Sequence, residues 1–66
     1  MTITLNGQPH EACTDCTVAE LLATMEVAPK HVAVEINLEI VPRSRLAEHR
    51  LSAGDRVEIV TLVGGG

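Results

Sequence analysis

The sequence predicts a two-layer α+β domain, with one main helix lying across one face of a mixed sheet of four to five strands. Three observations predict it. Short segments near the start, middle and end of the chain alternate apolar with polar residues, the period of a strand with one buried face. Between Val18 and Met25 a single apolar stripe recurs at helical spacing, and one such helix needs one sheet to cover. The chain has 66 residues, 45% of them hydrophobic and none of them Phe, Tyr or Trp, so its core is small and aliphatic. A domain of this size buries only about 60% of the surface its unfolded chain exposes, which leaves no room for an enclosed active site.

In chain order, Met1, Ile3 and Leu5 alternate with Thr2, Thr4 and Asn6, and Asn6-Gly7 is the strongest short hairpin signal. The return strand runs through Gln8-Pro9-His10-Glu11-Ala12; Pro9 has no N–H to donate, which marks an edge strand or its first residue. Thr17-Val18-Ala19-Glu20 fits a capping box, where hydroxyl and carboxylate each satisfy a backbone N–H at a helix start. Val18, Leu21, Leu22 and Met25 follow at i, i+3, i+4 and i+7, and the helix is expected to end before Pro29. Val32, Val34 and Ile36 then alternate with Ala33, Glu35 and Asn37 as a third strand. A turn at Asn37 leads into a short strand closed by Pro42. Residues 43 to 51 are polar apart from Leu46, Ala47 and Leu51, and suit a short helical turn. Ser52 to Asp55 is a turn. In the last strand Val57 and Ile59 share one face, and Val60 and Leu62 the other.

Charge and composition exclude several functions. A net charge of −4, from five basic residues against nine acidic, argues against a nucleic-acid partner, as does the lack of stacking aromatics. Arg43, Arg45, Arg50 and Arg56 cluster towards the C-terminal end and read as solvated surface. Nothing in the sequence looks like a signal peptide or an apolar run of the roughly 20 residues that span a bilayer, so a cytoplasmic location and no membrane partner are expected. In that reducing compartment Cys13 and Cys16 are expected as thiols.

The Cys13-x-x-Cys16 pair has three readings. It is a redox dithiol whose thiol pKa is lowered near a helix start, half of a metal site with His10 close by, or two small semi-buried residues. A closed zinc site needs four ligands and no second pair is present, so the third reading is preferred and no metal is expected. His10, His31 and His49 are scattered with no triad spacing. Glu20 is explained by the capping box, and Asp15 and Glu26 by ordinary helix surface.

A strand apolar on both faces reads as central. A central last strand beside the first, with the helix across one face, is the β-grasp arrangement of ubiquitin-like proteins. The segments "ITLNG", "TVAELL", "VAVEIN", "IVPR" and "GDRVEIV", followed by terminal Gly-Gly, together resemble the thiamin-biosynthesis sulfur carrier (ThiS) family over essentially the whole chain. The division expected is a β-grasp domain over residues 1–63 and a flexible glycine tail over 64–66. Three extended residues reach roughly 10 Å from the folded body. Without a Cβ, Gly64 and Gly65 can thread a narrow channel in a partner.

The resemblance implies a protein co-substrate, not a catalyst, with no bound cofactor. A ThiF-type adenylyltransferase would use ATP to activate the Gly66 carboxylate. A persulfide, supplied by a cysteine desulfurase or another donor, would convert it to a thiocarboxylate, and thiazole synthase would take the sulfur. Since ordering glycines on binding opposes affinity, the folded body must dock. Val60 and Leu62, rimmed by Arg56 and Glu58, are the docking surface expected. Two alternatives stay open: the small sulfur-carrier subunit of molybdopterin synthase, usually longer with aromatics near its tail, and a plain ubiquitin-like interaction module.

Overall fold

Both hairpins of the protein turn on an asparagine with left-handed backbone. In the computed structural model, which describes residues 1–62, Asn6 (φ 49) and Gly7 (φ 81) join β1 (Thr2–Leu5) to β2 (Gln8–Glu11). Asn37 (φ 52) and Leu38 (φ 71) join β3 (Val32–Ile36) to β4 (Glu39–Val41) in the same way. Positive φ at both central residues matches the right-handed twist of the flanking strands. β5 (Arg56–Thr61) lies between the hairpins, parallel to β1 and antiparallel to β3, in the order β2-β1-β5-β3-β4. The last strand is thus central, β2 with its Pro9 is an edge, and the arrangement is the β-grasp.

The helix, α1 (Val18–Thr24), starts on the capping box expected. The Thr17 hydroxyl accepts from the Glu20 N–H at 3.2 Å, while the Glu20 carboxylate accepts from the Thr17 N–H at 2.8 Å. Its end comes well before Pro29. Glu26 takes φ 57, the Val27 N–H bonds the Leu22 carbonyl at 3.0 Å and the Glu26 N–H bonds that of Ala23 at 3.1 Å. Those two bonds are a Schellman ending, which most helices close with glycine. Pro29 instead opens a 3-10 turn, Pro29–His31.

The stripe of α1 packs on the sheet. Ile3, Val18, Leu21, Leu22, Val34 and Val57 are almost fully buried, with Val32 and Ile36 close behind; Leu5, Met25 and Ile59, also expected in the core, are its half-buried rim. Leu46 and Leu51 are core residues too. The stretch that carries them holds the short helical turn expected, the 3-10 turn Arg43–Arg45, followed by turns over 46–48, and goes no further as a helix. The reason lies in α1, whose first N–H groups have no partner within the helix. The Val18 N–H bonds the His49 carbonyl at 3.0 Å and the Ala19 N–H that of Leu46 at 2.9 Å. Leu51 donates back to the Cys16 carbonyl at 2.8 Å. A helical 43–51 segment would hold the Leu46 carbonyl internally, against the Arg50 N–H, and leave the Ala19 N–H unsatisfied.

Candidate functional site

The end of β5 is where the fold releases its central strand. Near its start the strand is held on both sides. The Asn6 N–H bonds the Val57 carbonyl at 2.8 Å, and the Asn37 N–H bonds that of Arg56 at 2.8 Å. Pairing with β1 stops at Leu5 opposite Val57, after which the Asn6 side-chain oxygen takes the Ile59 N–H at 2.8 Å. Beyond Ile59, among the described residues, only the β3 side continues, through Val32 opposite Thr61 and the Leu62 N–H to the His31 carbonyl at 2.8 Å. The cover of α1 runs out at the same level, since Ile59 is half-buried and Thr61 exposed.

Side chains alternate across this strand. Val57 faces the helix, while Arg56, Glu58 and Val60 stand exposed on the open face, with Leu62 exposed just beyond the strand. Val60 is 56% and Leu62 45% exposed, high for apolar residues on a sheet. Ala33 lies opposite Val60, Glu35 opposite Glu58, and Ile40 of β4 opposite Glu35. Glu35 facing Glu58 puts like charges directly across a strand pair, which lowers stability. This face therefore departs from what stability alone would select. Its apolar extent was missed in part by sequence reasoning: Ile40 is 71% and Leu38 82% exposed. The signal for Ile40 was present, because an edge strand that turns Val41 inward must turn Ile40 outward.

The rival features lie elsewhere. Cys13 is exposed and Cys16 buried. Burial first, then the neighbouring Cys13, pushes the Cys16 thiol up to about 11, the reverse of the lowered thiol that an attacking nucleophile needs. Among the described residues no three His, Cys, Asp or Glu side chains gather as a metal site would require. Arg43, Arg45, Arg50 and Arg56 are all exposed. The Glu20 carboxyl is held below its ordinary range, chiefly by the Thr17 backbone N–H and next by the Thr17 hydroxyl, as its capping role demands. Among the described residues no helix is long and apolar enough to cross a membrane.

This arrangement ends the described chain, at Leu62, on the central strand of the sheet and beside an open face with apolar residues. Gly64, Gly65 and Gly66 lie outside the described residues. Residues 3–66 match the ThiS family profile. The chain is 42% identical over its whole length to a thiazole synthase from Paramagnetospirillum magneticum, of which it spans 20%, and it spans the same share of a second thiazole synthase, from Magnetococcus marinus. It is 41% identical over 63 residues to the sulfur carrier protein ThiS of Bacillus subtilis, covering 94% of this chain and 96% of that one. The crystal structure of the thiamine biosynthesis protein ThiS from Geobacter metallireducens superimposes over the full length of both chains with a TM-score of 0.85 at 35% identity.

Proposed function

The chain belongs to the ThiS family, and from that premise we propose that it carries sulfur for thiamin biosynthesis on the carboxylate of Gly66. The observation that carries the proposal is the central position of β5. A strand bonded to both neighbours at its start and to one at its end sets where the described chain stops, at Leu62, beside the open face. The sulfur carriers of matching length and the thiazole synthases that contain a similar stretch support the same reading.

A carboxylate is ionised at neutral pH, its reference pKa being about 3.3–3.7, and is a poor acyl donor. Activation proceeds by attack of a Gly66 carboxylate oxygen on the α-phosphorus of ATP within a ThiF-type adenylyltransferase, releasing pyrophosphate and leaving an acyl adenylate. A persulfide sulfur attacks the acyl carbon and expels AMP. Reductive cleavage of the resulting acyl disulfide by a thiol leaves the thiocarboxylate, whose sulfur passes to thiazole synthase. The protein contributes position and a docking face, and the chemistry belongs to its partners.

Val60 and Leu62, with Arg56 and Glu58 at their rim, form that docking face. An exposed apolar pair this close to the segment that must enter a partner can provide the affinity that glycines cannot. Intact mass of the protein after incubation with adenylyltransferase, ATP and a persulfide donor tests the central claim: exchange of one oxygen for sulfur at Gly66 is expected, and none after one residue is appended to Gly66. Val60→Asp tests the face. Because Val60 is 56% exposed, stability should change by no more than about 0.5 kcal/mol, while affinity for the adenylyltransferase falls about tenfold or more. A stability loss without a binding defect would move the docking surface elsewhere.

A further inference from the structure

Cys13 and Cys16 belong to no part of the function proposed above, and they are not equivalent. The Cys16 N–H donates to the Cys13 carbonyl at 3.3 Å, closing a turn in which Asp15 takes φ 59. A turn of this kind brings its end Cα atoms within about 7 Å, the range in which a disulfide closes. Both residues line one cavity of about 280 Å³ between β2 and α1, with His10, Leu21, Thr24 and Met25. Cys13 is exposed at its mouth, whereas Cys16 is 2% exposed.

We propose that this pair is a reversible dithiol site for low-molecular-weight disulfides, in which exposed Cys13 reacts first and buried Cys16 resolves. The Cys13 thiolate attacks one sulfur of a disulfide RSSR, forming a Cys13–SR bond and releasing RS⁻. Cys16, as its thiolate, then attacks the Cys13 sulfur and expels the second RS⁻. The net change is two cysteine thiols oxidised to one disulfide and RSSR reduced to two RSH. The order follows from access and from basicity: a thiol pushed up to about 11 is scarcely ionised at neutral pH and makes a poor first nucleophile. Held beside Cys13 by the turn, it still attacks at high effective concentration. The site follows β2, whose Glu11 lies opposite Thr2, and so sits at the Thr2 end of β1, the end at which the Gly54 N–H bonds the Thr2 carbonyl. That is the opposite end of the sheet from Thr61, about 20 Å away along β5, so the proposal stands or falls apart from the chemistry of Gly66.

Intact mass of the full chain in excess oxidised glutathione at neutral pH tests it. The wild-type product should be lighter by two hydrogen atoms and closed to alkylation at both cysteines. Cys16→Ala, a small apolar replacement suited to a buried position, should instead accumulate one glutathionyl group on Cys13. Cys13→Ser should react about tenfold more slowly or less still, since Cys16 becomes reachable only on local opening. A wild-type reaction that stops at the glutathionyl adduct, or a Cys13→Ser variant that reacts as fast as wild type, overturns the proposal.

Discussion

The two hairpins are built on the same turn and differ at one residue. In each, an asparagine occupies the first left-handed position and reaches sideways to β5, one from either flank. Asn6 takes the Ile59 N–H at 2.8 Å and Asn37 takes the Arg56 N–H at 3.0 Å, while each donates its own N–H to a β5 carbonyl. Asn37 also donates to the Asp55 carboxylate at 3.1 Å. An asparagine tolerates positive φ and carries a carbonyl that continues a ladder where the neighbouring strand has ended. The second position asks only for positive φ. Gly7 meets that demand without strain; Leu38 meets it with a Cβ, at φ 71, and holds an almost fully exposed apolar side chain. The asparagines therefore belong to the fold, whereas folding gives no reason for Leu38.

The largest test of the comparison removes the clamps. Asn6→Ala and Asn37→Ala should each cost about 2 kcal/mol in urea unfolding, about half from a lost hydrogen bond and half from alanine at positive φ. A cost below about 0.5 kcal/mol for either would break the equivalence of the two turns. Exchanging the second positions comes next. Gly7→Leu should lose about 1 kcal/mol and Leu38→Gly gain somewhat less, even though the space around Gly7 is open, because the strain is in the backbone. A gain at Leu38 accompanied by weaker partner binding would assign its exposed side chain to recognition.

Glu26 is another left-handed position with a Cβ, this time closing α1, so Glu26→Gly should raise stability by about 0.5 kcal/mol. Acid separates the turns from the helix with the smallest effect. The folded-state pKa of Glu20 is lowered from its ordinary 4.5, so its capping contribution is present above that value and lost as pH falls through the lowered one. Glu20→Ala should flatten that part of the stability profile. The cost of Asn6→Ala should stay constant over the same range, since asparagine does not titrate.

Much of this was legible beforehand. Alternation at Ile3, Val32, Val34, Ile36 and Val57 placed the buried face of the sheet, and Thr17 with Glu20 placed the start of α1. The open face was legible in Val60 and Leu62 but not in Leu38. A leucine in a type I′ turn contradicts the usual residue preference of that turn, so no turn signal marks its conformation. The end of α1 was hidden for the same reason, glutamate standing where glycine is the usual marker.

Whatever depends on near neighbours along the chain can be read from the residues alone: strand and helix periods, the capping box, the Asn6 hairpin and the glycine run after β5. Tertiary structure alone decided what depends on which elements meet. Leu46 and Leu51 are buried because the irregular segment around them folds over α1 and lends it carbonyls, a service no local pattern records. Cys13 and Cys16, three positions apart, part company because the hydrophobic core takes in one and not the other. The exposure of Val60 was settled in the same way: strand alternation turned it away from α1, and among the described residues no second layer covers that face.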